Sequence, residues 1–387
     1  LIEYKREGAA IRMIRKSEDL PGRNFGIIFR GRKITPLWTG LNTESPDHDI
    51  EKYHGQGIFL FQGDEIMIKN FIRFMLTSLS VLLIFSMAYG QTPRKAIVLA
   101  SFGTSHPDAL KALTTIEEIV QKDHPDYMVT HAFTSNVIRK IWHDRQNDTG
   151  FLEENKEISR DFLYVKSPLA TVADLQDQGI KTIVVQPTHV FAGESYADLC
   201  AYMSGLNSIK TLREKYMPFD ILVLGRPALG APSATHFYQE DIQAAANALE
   251  NDIKKAKKMG AAMVYMGHGN EIYSTGAYVE LEDTLRKTYP DTRVFIGAVE
   301  GFPLVSHVAE DLKHAGIKKV FMKPLMVVAG DHAGNDMAGD EQDSWKTRFE
   351  QMGMSVTCDI TGLGENTGWA KIYSDHIFDV IKDAGIK

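Results

Sequence analysis

The sequence predicts an α/β protein built from two similar doubly wound parallel-sheet domains that face a cleft. Three observations predict it. After residue 91, short Val- and Ile-rich runs alternate with amphipathic stretches, the second half repeats the first, and the polar residues that differ between the repeats stand just past the strands. Open parallel sheets are covered by helices on both faces and bind ligands beyond the carboxyl ends of their strands.

The strands are predicted at residues 96–101, 127–132, 182–186 and 221–224 in the first half, and at 261–266, 293–298, 319–323 and 355–359 in the second. Each is a nearly continuous apolar run, the pattern of a strand buried on both faces. Helices are predicted between them at 108–121, 235–258, 278–288, 305–315 and 340–351. The repeat is visible in register. Ile97-Val98-Leu99-Ala100-Ser101-Phe102-Gly103 aligns with Met263-Val264-Tyr265-Met266-Gly267-His268-Gly269 at an offset of 166, as does Ala132-Phe133-Thr134-Ser135 with Ala298-Val299-Glu300-Gly301. Further on, residues 186–194 align with residues 323–331 at an offset of 137, so the first half carries 29 extra residues, assigned to the polar stretch around 140–160. One unit used twice implies two domains, 91–228 and 229–387, with the last helix packing back on the first domain.

The front of the chain reads differently. Residues 74–88 carry no charge, follow Lys69 and Arg73, and end in small residues, which is the layout of a signal peptide over 67–90. Fifteen residues span about 22 Å as a helix, short of the ~30 Å hydrocarbon core, which disfavours the alternative of a retained membrane anchor. Residues 1–66 lie upstream of that signal and show little periodicity, so the expectation is a non-native upstream extension. The protein after cleavage would be residues 91–387, exported and periplasmic.

Composition narrows the function. The 387 residues are 44% hydrophobic and 24% charged, ordinary for globular chains. The net charge is −7, and residues 91–387, with 31 basic and 40 acidic side chains, reach −9. Such a surface repels polyanions, so no nucleic-acid partner is expected. Two cysteines, Cys200 and Cys358, exclude a disulfide scaffold and a cysteine-rich zinc module. No phosphate-loop motif and no nucleophile elbow appear, and Gly362-Leu363-Gly364 lacks the third glycine of a dinucleotide fingerprint. No organic cofactor is expected.

Three polar residues of the second half fall at successive strand ends. His268 follows the strand at 261–266, Glu300 the strand at 293–298, and His332 the strand at 319–323 with the segment 327–331. The first-half counterparts are Phe102, Thr134 and Ser195, so the scaffold itself does not require the difference. Two imidazoles and a carboxylate form an open donor set suited to a first-row divalent ion. Alone, each has an ordinary alternative: a histidine after a strand usually caps or fills, and a loop glutamate is usually solvated. Glu194, at the matching strand end of the first half, faces the same cleft or serves as an acid at a helix N-terminus. His189 is expected to be structural, and His106, before Pro107, a turn residue.

The motifs Met266-Gly267-His268-Gly269-Asn270, Ala298-Val299-Glu300-Gly301 and Val328-Ala329-Gly330-Asp331-His332-Ala333 resemble those of the anaerobic sirohydrochlorin cobaltochelatases, in the class II chelatase group. The resemblance runs from residue 96 to about 386 and includes the stretch 189–196. It implies that His268, Glu300 and His332 hold an incoming Co2+, with Fe2+ or Ni2+ as alternatives, and that Glu194 is a further acid in the cleft. His268, His332 and Glu194 would be the catalytic groups. Inserting a divalent ion into a free-base tetrapyrrole displaces two pyrrole protons, so the site must both present metal and accept protons, and an imidazole does either. The expected partners are a sirohydrochlorin-type tetrapyrrole, whose carboxylates would meet basic residues in the cleft, the divalent metal, and further copies of the chain in a homo-oligomer. The rival reading is an exported carrier that binds metal or tetrapyrrole without turnover.

Overall fold

The structure, a computed structural model, describes Ile2–Glu7, Ala10–Arg15 and Lys95–Lys387. The chain divides into two units, Leu1–Leu83 and Ile84–Lys387. In the first, Ile2–Glu7 and Ala10–Arg15 pair antiparallel, with Ile2 opposite Arg15. The signal peptide proposed at 67–90 and its cleavage site lie outside the described residues. Among the described residues no helix is long and apolar enough to cross a membrane.

The second unit holds two four-stranded parallel sheets. In the first half β1 (Lys95–Ser101), β2 (Met128–Phe133), β3 (Thr182–Pro187) and β4 (Ile221–Leu224) lie in the order β2-β1-β3-β4. In the second, β5 (Ala262–Gly269), β6 (Val294–Glu300), β7 (Lys319–Leu325) and β8 (Ser355–Cys358) lie in the order β6-β5-β7-β8. The two sheets are thus the same topology used twice. The helices follow suit. α1 (Leu110–Asp123) packs on β2, and α2 (Asn136–Arg145), α3 (Thr149–Glu154), α4 (Arg160–Leu163), α5 (Pro168–Asp177) and α6 (Glu194–Asn207) complete the first half. α7 (Tyr238–Ala248), α8 (Glu250–Met259), α9 (Gly276–Thr288), α10 (Val305–His314), α11 (Trp345–Gln351) and α12 (Thr367–Asp383) make up the second. α1 and α9 start 166 residues apart, and α5 and α10 start 137 apart. The change of offset therefore falls where α2, α3 and α4 are inserted.

Strand residues alternate between two apolar layers. Ala96, Val98 and Ala100 face one layer with Ile183, Leu199 and Met203, and Ala262, Val264 and Met266 face its second-half equivalent with Val308, Leu312 and Phe349. The intervening residues Ile97, Leu99, Met263 and Tyr265 share one continuous core with Ile116, Ile242, Leu281, Trp369 and Tyr373. That layer spans both halves. α12 is part of it, packing on α1 and β3 of the first half and on α7 of the second.

Several expectations are corrected. The helix predicted over 235–258 is two helices, α7 and α8, broken at Leu249, where Asn366 donates its amide to the Ala248 carbonyl at 2.8 Å. The helix predicted at 340–351 begins only at Trp345, capped by the Ser344 hydroxyl, which accepts from the Thr347 N–H. The strands predicted to stop at 266 and 298 run on to Gly269 and Glu300, because those two residues pair with each other.

Candidate functional site

The extension of β5 and β6 sets the first two candidate side chains. His268 sits within the last turn of pairing rather than in a loop, and Glu300 is the final residue of β6. Gly269 makes this possible. It has a φ of +82°, and a Cβ there would lie 1.8 Å from the Glu300 carbonyl oxygen, so only glycine lets the two strand ends close this tightly. The Asn270 N–H then donates to that same carbonyl at 3.1 Å. The third candidate, His332, opens a six-residue π-type turn, His332–Met337, at the place where the first half has the long helix α6.

These elements bring the three side chains together. The His268 and His332 rings lie 4.8 Å apart between centroids, at 85° to each other. Glu300 Oε2 is 3.9 Å from His268 Nδ1. The side chains of His268, Glu300 and His332 are 41%, 44% and 41% exposed, so a ligand reaches all three. Among the described residues no three His, Cys, Asp or Glu side chains form a ready-made metal cage; the arrangement is open.

The hydrogen bonds fix which nitrogen of each ring is available. His332 Nδ1 lies 2.5 Å from Asp336 Oδ2, and His268 Nδ1 lies 3.2 Å from the Gly269 carbonyl. A carbonyl can only accept, and an ionised carboxylate likewise, so in the neutral form of either ring Nδ1 carries the proton. Nε2 is then the lone-pair nitrogen of each. Asp336 was not legible from motif spacing, although its position four residues after His332 on a helical turn is the available signal.

The site opens on a cavity of about 530 Å³ whose lining includes His268, Glu300 and His332 from the second half and Glu194 from the first. Glu194, exposed, is the first residue of α6. Residues related by the repeat meet across the cleft: Phe102 and His268, counterparts at offset 166, have ring centroids 6.5 Å apart. Phe191 packs edge-on to Tyr278 at 5.1 Å. Apolar side chains, Leu113, Ile138, Val190 and Leu325 among them, alternate elsewhere on the walls with polar ones such as Thr104, Ser135 and Asn270.

Two expectations about the cleft change, and the surroundings of His189 become visible. His106 is more than a turn residue: its Nε2 meets Asp331 Oδ1 at 2.8 Å, joining the halves beside His332. His189 lines the cavity, and its two ring nitrogens are buried without a partner among the described residues. Its imidazole is held near pKa 4, because burial disfavours the charged ring. Finally, the basic residues expected for macrocycle carboxylates are not in the lining, which contains neither Lys nor Arg. The nearby arginines are spent on backbone carbonyls, Arg139 on Thr134 at 2.9 Å and Arg145 on Ser105 at 2.6 Å.

The chain is similar in sequence to known proteins. The chain is 32% identical over 293 residues to the sirohydrochlorin cobaltochelatase of Salmonella typhimurium, covering 75% of this chain and 98% of that protein. It is 28% identical to the sirohydrochlorin cobaltochelatase CbiKC of Nitratidesulfovibrio vulgaris, covering 73% of this chain and 89% of that one. Among solved structures, SirB from Bacillus subtilis with Fe3+ aligns at 13% identity with a TM-score of 0.47, over 76% of this chain and 98% of that chain. Residues 95–382, which include both sheets, the cleft and every candidate side chain, match the cobalt chelatase (CbiK) family, and the chain belongs to it.

Proposed function

We propose that this protein inserts Co2+ into sirohydrochlorin, with His268, Glu300 and His332 receiving the ion before transfer. The observation that carries the reading is the convergence of these three side chains, two from adjacent strand ends and one from a turn beyond the sheet, at the wall of a mostly apolar cavity in a member of the cobalt chelatase family. Sirohydrochlorin cobaltochelatase is the activity named for both relatives.

The geometry suits delivery rather than storage. Two neutral imidazoles offer Nε2, a carboxylate offers charge, and the remaining coordination positions stay open for water and then for pyrrole nitrogens. A closed four-ligand cage would hold its ion too firmly to release it. Each insertion forms metal bonds to the macrocycle nitrogens and frees two pyrrole protons. As the ion departs, a ligand imidazole becomes a base, and Glu300 or Glu194 takes or relays the second proton. Because the lining has no Lys or Arg, the macrocycle carboxylates are directed to the rim and solvent, and the apolar ring system fills the cleft. Export through residues 67–90 is part of the proposal, tested by fractionating the native cells and sequencing the N-terminus of the purified protein.

Anaerobic incubation of purified protein with excess sirohydrochlorin and Co2+ tests the activity, followed by the absorbance of the metallated product. Many equivalents of product per chain are expected; saturation at one equivalent identifies a carrier instead. His268→Ala should lower turnover at least about 100-fold with the fold retained, since removal of a metal ligand costs more than the 10–100-fold typical of its supporting partners. Near-normal turnover by that variant contradicts the assignment.

A further inference from the structure

We infer that His189 is a substrate-binding residue, whose imidazole hydrogen-bonds the tetrapyrrole from the first-half wall of the cleft while the metal is held on the second-half wall. The inference rests on the proposed tetrapyrrole reaction.

The observation is a polar group that the protein leaves without a partner at the place where a ligand would lie. His189 follows β3 and lines the same cavity as the His268, Glu300 and His332 cluster. Its main chain is pinned: its carbonyl accepts from the Ala228 N–H at 3.0 Å and from the Tyr373 hydroxyl at 3.2 Å. Its side chain is not, since neither Nδ1 nor Nε2 has a partner among the described residues. Native interiors pair nearly all such groups, and those left over call for a missing partner. The second-half counterpart at offset 137 is Met326, an apolar residue, so the repeated scaffold itself does not require an imidazole here.

The residue as a whole is partly buried, and both ring nitrogens are covered in the rotamer it adopts. A half-turn about Cβ–Cγ exchanges Nδ1 with Cδ2 and Nε2 with Cε1 without changing the volume of the ring. In that rotamer the nitrogens stand where ring carbons stood. A neutral imidazole provides one donor and one acceptor, which suits the mixed N–H and lone-pair core of a free-base macrocycle as well as its carboxylate edge. Burial keeps the ring neutral at physiological pH.

The test uses the full chain under anaerobic conditions, with metal-free sirohydrochlorin binding followed by fluorescence and Co2+ binding by calorimetry. Wild type is compared with His189→Leu, which removes both polar atoms at similar volume, and His189→Gln, which keeps a donor and an acceptor. The expected result is a sirohydrochlorin Kd about 10-fold weaker for His189→Leu, within about threefold of wild type for His189→Gln, with Co2+ affinity and Tm undiminished in both. Unchanged sirohydrochlorin affinity in His189→Leu overturns the inference. So does a fall in its Tm or a failure to fold, which makes the imidazole a structural group. Absence of sirohydrochlorin binding by wild type overturns the proposed function itself, a different outcome from wild-type binding that the leucine variant shares.

Discussion

At the scale of single residues, the site depends on which atoms are committed elsewhere. Asp336 engages His332 Nδ1 at 2.5 Å, and the Gly269 carbonyl engages His268 Nδ1 at 3.2 Å, so both rings offer Nε2. Partners of this kind typically change metal affinity 10–100-fold. Asp336→Asn keeps an acceptor but loses its charge, and calorimetry should show Co2+ binding about 10-fold weaker. Its Tm should stay within about 2 °C, because the pair is nearly half exposed and such pairs add little stability. His189 leaves a signature in the pH dependence of stability. Burial depresses its folded pKa to about 4, below the ordinary imidazole value of about 6.5, so the unfolded chain binds the proton more readily between those values. Stability is full above pH 6.5 and is lost as the pH falls toward 4. Urea unfolding at pH 7 and pH 4.5 should show wild type losing roughly 2 kcal/mol more than His189→Leu, which has no such group; equal losses would mean that the ring is not held neutral. The candidate triad was legible in the sequence because His268, Glu300 and His332 depart from their repeat counterparts at strand ends. His189 and His106 were not, since their roles come from distances between segments that the chain separates, and Asp336 left only its helical spacing from His332 as a signal.

At the scale of elements, the strands were legible and many helices were not. β1, β3, β5 and β7 are continuous Val, Ile, Leu and Met runs with buried residues on both faces. α2, by contrast, buries only Trp142, and α6 only Leu199 and Met203. Each carries a short stripe at helical spacing, Ile138, Ile141 and Trp142 in one and Leu199, Met203 and Leu206 in the other, but polar residues dilute it. Boundaries were missed where a distant residue decides them, as Asn366 does at the α7–α8 break. The closure of β5 on β6 is the element on which the site rests. Gly269→Ala introduces a side chain at φ +82° and 1.8 Å from a backbone oxygen, and the strand ends must separate to admit it. The expected cost is about 3 kcal/mol in denaturant unfolding, together with loss of insertion activity, because His268 and Glu300 are displaced together. A variant with wild-type stability and turnover would show that this closure does not position the site.

At the scale of the molecule, one topological unit is used twice, and the second copy carries the three proposed metal ligands. The two copies share the apolar layer that runs from Ile97 and Leu99 to Met263 and Tyr265, and α12 contributes Trp369 and Tyr373 to it. Tyr373 donates to the Thr188 or His189 carbonyl, at 3.1 and 3.2 Å, so the end of the chain supports the first-half wall of the cleft. The sequence repeat announced two related halves, but not this common layer, since periodicity shows which residues are buried and not what they meet. The cleft that results is lined by His268, Glu300 and His332, the proposed metal ligands, from the second half and by His189 and Glu194 from the first. The central claim is that three residues distant in the chain grip one ion. A Co2+-soaked crystal, measured for anomalous scattering at the cobalt edge, tests it directly. The account predicts a single strong peak in the cleft about 2.1 Å from Nε2 of both His268 and His332 and bonded to the Glu300 carboxylate; a cobalt peak elsewhere, with these three side chains turned apart, would contradict it.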